Sequence, residues 1–148
     1  MRLYLDLCCF NRPYDDQSHV RIRLETEAKL SLQEQIRAGV HELLWSSILD
    51  FENSKNPFVE HLHAIAQWSV LASNHVKIDP DVLSYAETLT ARGVHAFDAL
   101  HLACAVVGKA DVFITTDDRL LRQASHLSEI KVFLPAEALA FLGDWYEQ

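Results

Sequence analysis

The sequence predicts an α/β fold, a mainly parallel sheet covered by helices on both faces. Three observations predict it. Short apolar runs of strand length occupy residues 1–5, 42–45, 111–115 and 131–134. Longer stretches with helical apolar spacing separate them, so consecutive strands need crossover connections and run parallel. The chain of 148 residues is 49% hydrophobic and 23% charged, which suits one soluble domain over residues 1–148 with a real core.

The elements follow in order. Residues 1–5 form a buried strand that ends on Asp6. Residues 11–16 read as a loop, because Pro13 biases Arg12 away from helix. Asp15, Asp16 or Ser18 then caps a long helix whose Leu24, Ala28, Leu32 and Ile36 form an apolar stripe, and Gly39 ends it. After the strand at 42–45, Ser47 and Asp50 make a capping pair for a helix that carries Glu52. Pro57 opens the next helix, with Phe58, Leu62, Ile65, Ala66 and Val70 on its apolar face. Residues 74–78 link to a helix capped by Asp79 and ended by Gly93. The segment 97–107 is an apolar helix with Asp98 in its first turn, where the dipole favours a negative charge, and Gly108 closes it. A strand at 111–115 leads to Asp117, a short helix covers 118–124, and Pro135 opens a last helix to about Leu142.

Four acids, Asp6, Glu52, Asp98 and Asp117, fall at strand carboxyl ends or adjacent helix starts. Open α/β sheets bind their ligands there. Carboxylates that share one crevice raise each other's pKa and destabilise the fold unless a cation offsets them. An all-oxygen site suits Mg²⁺ or Mn²⁺ rather than zinc. Such ions, about 4 Å apart when two bind, serve phosphoryl displacement. No Gly-rich phosphate loop and no G-x-S-x-G elbow offers rival machinery. Arg12 and Arg119 flank the acids as candidates for holding a substrate phosphate. His101 lies one turn after Asp98 on the same helix face.

A net charge of −8 argues against a surface that grips nucleic acid all over, so RNA would need a local basic rim or metal ions. Cys8, Cys9 and Cys104 show no C-x-x-C spacing, which fits a reducing cytoplasm. Asp6 interrupts the apolar start, so no signal peptide is expected, and residues 61–76 are too short and too polar to span a membrane.

Tyr4-Leu5-Asp6, the segment from Trp45 to Glu52, the segment from Phe97 to Ala103, and Ile114-Thr115-Thr116-Asp117 resemble the four motif blocks of PIN domains, most closely VapC-like toxins of toxin–antitoxin pairs. The resemblance implies a three-layer α/β/α sandwich and a metal-dependent ribonuclease that hydrolyses RNA phosphodiester bonds. It also implies a homodimer and an antitoxin partner that covers the acidic pocket. Carried over by position, Asp6, Glu52, Asp98 and Asp117 hold the metal, Thr115 supports the site through its hydroxyl, and Asp118 is an extra or supporting acid. The departure is Leu7-Cys8, where many members place Thr and then Ser or Asn. The alternative is a catalytically silent PIN-fold module that binds RNA or an antitoxin. A haloacid-type phosphatase is disfavoured because Asp6-Leu7-Cys8 lacks a second acid.

Overall fold

Three consecutive residues of the first strand, Leu3, Tyr4 and Leu5, have no exposed surface. Neighbours on a strand point to opposite faces, so both faces of the sheet are covered here. The same holds for Leu43, Leu44 and Trp45 and for Val112, Phe113 and Ile114. In the computed structural model, which describes residues 1–143, these runs are three strands of one five-stranded sheet. The strands are β1 (Arg2–Leu5), β2 (Glu42–Ser46), β3 (Asn74–Val76), β4 (Val112–Ile114) and β5 (Lys131–Phe133), in the order β3-β2-β1-β4-β5. Every pairing is parallel. With helices on both faces this is a three-layer α/β/α sandwich. The end of the expected single domain, residues 144–148, lies outside the described residues.

The helices are α1 (Leu7–Asn11), α2 (Val20–Arg37), α3 (Ser47–Ser54), α4 (Val59–Gln67), α5 (Pro80–Ala91), α6 (Ala96–Val107), α7 (Asp118–Ala124) and α8 (Pro135–Leu142). Aromatic packing ties strand to strand and helix to sheet. Tyr4 stacks on Phe113 at 5.2 Å between centroids, and Phe10 meets Trp45 edge-on at 5.3 Å. Each fully buried side chain of this size contributes about 1.5–3 kcal/mol relative to exposure.

Several local expectations are corrected. Residues 11–16 are not all loop: Asp6 caps a helix directly after β1, so α1 reaches Asn11 and Arg12–Tyr14 form a 3₁₀ turn. The segment 74–78 holds an edge strand, β3, whose polar Asn74 and His75 carry no apolar pattern. Ser46, not Ser47, caps α3: its Oγ accepts from the Leu49 N–H at 3.3 Å, while Asp50 accepts from the Trp45 indole at 2.8 Å. Pro57 precedes α4 instead of opening it, and Val70 is 83% exposed in a 3₁₀ turn beyond its end. Leu24 is exposed, and the buried face of α2 begins instead with Glu25, Thr26, Ala28 and Lys29.

Gly39 and Gly93 end helices with positive φ, 78° and 95°, as helix-terminating glycines do. Gly108 is held for a different reason. A Cβ there would lie 2.6 Å from both the Leu44 and the Val76 side chains. Gly108→Ala is expected to destabilise the fold by about 1–3 kcal/mol through overpacking. Urea unfolding measures it, and an unchanged midpoint would refute the tight approach of α6 to β2 and β3.

Candidate active site

β1 lies between β2 and β4, so the chain leaves it toward β2 and β3 and later returns to its other side with β4 and β5. The crevice beyond the carboxyl ends of β1 and β4 is the switch point where open α/β sheets bind ligands. Leu5 pairs with Ile114 in register, so Asp6 and Thr115 leave the sheet side by side, and the Asp6 N–H donates to the Ile114 carbonyl at 2.9 Å.

Asp6 is buried and fully engaged. Its Oδ1 accepts from the Leu7 N–H at 2.8 Å, which caps α1, and its Oδ2 accepts from the Thr115 hydroxyl at 2.9 Å. Thr115 in turn accepts from the Asp117 N–H at 3.1 Å. Asp117 caps α7, its Oδ1 accepting from the N–H groups of Arg119 at 2.9 Å and Leu120 at 3.3 Å. One buried threonine hydroxyl therefore bonds both the Asp6 carboxylate and the Asp117 backbone, residues from distant parts of the chain. Cys8 occupies the departure from the family pattern. Its sulfur accepts from the Thr116 N–H at 3.3 Å and lies 3.5 Å from Asp6 Oδ2 and 3.4 Å from the Thr115 hydroxyl.

Glu52 is held from α6. His101 is buried, and its Nε2 bonds the Glu52 carboxylate while its Nδ1 lies 2.6 Å from the Tyr4 hydroxyl. Tyr4 Oη lies 2.7 Å from Ser46 Oγ, the cap of the helix that carries Glu52. The network closes on itself through β1, β2, α3 and α6. An ionised Glu52 can only accept, so His101 Nε2 bears the hydrogen in either protonation state. Burial alone would lower the His101 pKa, but the Glu52 hydrogen bond and the charges of Asp6, Glu52 and Asp98 outweigh it and the pKa rises. Burial raises the Tyr4 pKa well above its ordinary value, so the phenol stays a donor.

Asp6, Glu52, Asp98 and Asp117 line a single cleft of about 500 Å³, together with Cys8 and Lys55. Desolvation pushes the half-buried Asp98 carboxyl up, the Asp6 and Asp117 charges push it further, and His101 and Arg119 only partly offset them. Repulsion from two neighbouring acids thus adds to desolvation at Asp98. The donor set suits a hard divalent ion by its chemistry, since four carboxylates line one cleft and the charges of its neighbours are only partly offset at Asp98. Among the described residues, no three His, Cys, Asp or Glu side chains stand close enough together to hold an ion as they are oriented. Asp6 and Asp117 are turned to their capping N–H groups and Glu52 to His101.

The remaining expected residues lie beside this cleft. Asp118, Arg12 and Arg119 line a neighbouring depression that shares Asp117. Arg21 grips Asp118 through two bonds of 2.7 Å and holds its carboxyl below the usual range. Arg12 is committed to Glu25 and Asp15, both at 2.9 Å. Arg119 is exposed beside them. Sequence reasoning did not single out Tyr4, Ser46 or Lys55. Tyr4 and Ser46 stood inside the motif blocks, and Lys55 is three residues after Glu52, on the same helix face.

No protein-family model matches the chain, and no curated protein matches it. Solved structures do. VapBC2 from Rickettsia felis, bound to a DNA fragment from its promoter, matches with a TM-score of 0.55 and 13% identity over 89% of this chain and 97% of that one. The chain has a PIN-like fold. DNA-bound VapBC from Salmonella typhimurium matches with a TM-score of 0.51 and 16% identity over 89% of this chain and 96% of the other. In this PIN-like chain, no helix among the described residues is long and apolar enough to cross a membrane.

Proposed function

We propose that this chain is a cytoplasmic, Mg²⁺- or Mn²⁺-dependent endoribonuclease, the toxin of a toxin–antitoxin pair. The carrying observation is that Asp6, Glu52, Asp98 and Asp117, from four separate segments, line one cleft at the switch point of the sheet. The likeness in fold to VapBC proteins supports the toxin–antitoxin reading. Those four carboxylates would hold the metal, which when bound supplies charge neutralisation and an activated water for phosphodiester hydrolysis. The chain's own groups do the rest. Thr115 orients Asp6 and the Asp117 backbone, and the Ser46–Tyr4–His101 network orients Glu52. His101 keeps a proton on Nε2 against Glu52, which tempers the negative potential toward an incoming phosphate.

The proposed partners are RNA as substrate, an antitoxin that covers the acidic cleft, and a second copy of the chain. For the homodimer, the exposed Val70 and Leu71 in the 3₁₀ turn that begins at Trp68 offer an apolar face. A monomer by sedimentation at micromolar concentration would remove that part of the proposal.

The test is cleavage of a mixed RNA pool with Mn²⁺ and with EDTA. Cleavage is expected only with metal. Cleavage that persists in EDTA overturns the metal-dependent reading. Mn²⁺ binding without cleavage of any RNA would favour the silent module.

A further inference from the structure

We infer that the aromatic rings at the mouth of the acid cleft form a base-stacking subsite, which receives the nucleobases next to the scissile phosphate. This rests on the ribonuclease reading and adds to it the residues that grip the substrate.

Phe51 immediately precedes Glu52 on α3, and Phe97 immediately precedes Asp98 on α6. Both line the acid cleft, yet they are 49% and 53% exposed. Their rings are nearly parallel, 9° apart with centroids 6.2 Å from each other. Paired on the rim of one cleft, the two rings form a contiguous apolar patch rather than a scattered exposed residue, and contiguous patches mark ligand-binding grooves and interaction surfaces. A second ring platform lies along the same path. The adjoining depression shares Leu7, Asn11, Glu52 and Lys55 with the acid cleft, so the two are continuous. In it Tyr14 stacks on His61 at 3.7 Å and 8°, with the exposed Phe58 ring 5.0 Å from His61.

The chemistry between the platforms favours a nucleic acid strand over a protein helix. A helix partner wants an unbroken apolar groove. Here Lys55 and Asn11 line both hollows and Asn56 the second, alongside the carboxylates of Glu52 and Asp15, so polar groups, among them a cation and two amides suited to phosphate and base edges, interrupt the apolar lining. The Lys55 ammonium sits 5.2 Å from the Phe51 ring centroid, so charge and π-face are presented together. Base–aromatic stacking tolerates any sequence and needs bases whose faces are free. A chain of net charge −8 gains little long-range attraction for RNA, so stacking must carry a larger share of the affinity. The rings precede two of the four acids by one residue each. A strand stacked on them is therefore drawn alongside the carboxylates.

The experiment measures fluorescence anisotropy of a labelled 12-nucleotide unpaired RNA and of an RNA duplex of the same composition, with Ca²⁺ in place of Mn²⁺. The native chain is compared with Phe51→Leu, Phe97→Leu, the double variant, and Phe141→Leu as a distant control. Leucine keeps the apolar bulk and removes the π-face, and thermal melts check that each variant folds. Cleavage with Mn²⁺ is scored separately. The expected result is a Kd for the unpaired strand weakened about tenfold by each ring substitution, with duplex binding and the control unchanged. Equal binding of duplex and single strand overturns the inference. So does single-strand affinity indifferent to both rings, the result expected if they dock a protein partner instead. The two readings fail separately. Ring-dependent binding without cleavage sinks the nuclease and leaves the subsite, whereas cleavage with ring-independent binding sinks the subsite alone.

Discussion

Asp98→Asn is expected to lower RNA cleavage at least about 100-fold, a loss that even outer-shell substitutions at metal sites reach, while making the metal-free chain more stable. The second half follows from the raised pKa of this carboxyl. Its ionised form is disfavoured in the folded state by desolvation and by Asp6 and Asp117. Between the ordinary value of 3.8 and the raised folded value, the folded chain binds more protons than the unfolded one, so stability falls as pH rises through that window. Above it the full penalty applies, and asparagine does not suffer it. At pH 7 in EDTA the variant should melt higher than the native chain. The advantage should vanish as pH drops below about 4, and it should shrink or reverse with Mn²⁺, which stabilises only a chain that binds it. Asp6→Asn should lose cleavage too, but without the stability gain, because its two oxygens accept from the Leu7 N–H and the Thr115 hydroxyl. Scanning calorimetry at both pH values, with and without metal, separates these outcomes. An Asp98→Asn chain that still cleaves, or that melts no higher in EDTA, would break the link between repulsion and function.

The contrast between Asp98 and Asp6 also marks what sequence reasoning could reach. Asp6, Asp98 and Asp117 were legible because each sits where a strand ends or a helix begins, and Glu52 because its helix starts at the end of β2, although it lies well along that helix. The parallel sheet was legible from the alternation of apolar runs. The residues that aim those acids were not. Tyr4 reads as one more apolar strand residue, and only the three-dimensional crossing of β1, β2 and α6 turns its hydroxyl toward both Ser46 and His101. β3 was missed because a three-residue edge strand with polar Asn74 and His75 buries only Val76, too little to leave a pattern. Leu24 was misplaced because α2 turns a polar face, Glu25 and Lys29, toward the body of the protein. Its acid gathers Arg12 at 2.9 Å and Arg21 at 3.3 Å into a charged cluster next to Asp118, an arrangement no spacing rule could show.

Lys29 is the other product of that polar face, and it yields the largest stability effect. The side chain is only 4% exposed, and the Phe10 ring lies 5.5 Å from its ammonium. Burial lowers its pKa to about 8, with no carboxylate contributing and only the Cys9 thiol pulling the other way. A buried cation without an acid partner is costly. The difference from the ordinary value of 10.5 corresponds to about 3 kcal/mol at neutral pH. Lys29→Met keeps the length and apolar stem and drops the charge, so it is expected to stabilise the chain by roughly 2–3 kcal/mol at pH 7. The pH dependence fixes the cause. From about 8 to 10.5 the unfolded chain holds a proton that folded Lys29 has released, so native stability rises with pH across this window. The methionine variant lacks that slope. Its advantage in urea unfolding should be full below pH 8 and fade toward pH 10.5. A difference that stays constant with pH would assign the effect to packing against Phe10 rather than to a buried charge, and no gain at pH 7 would mean that the ammonium reaches water.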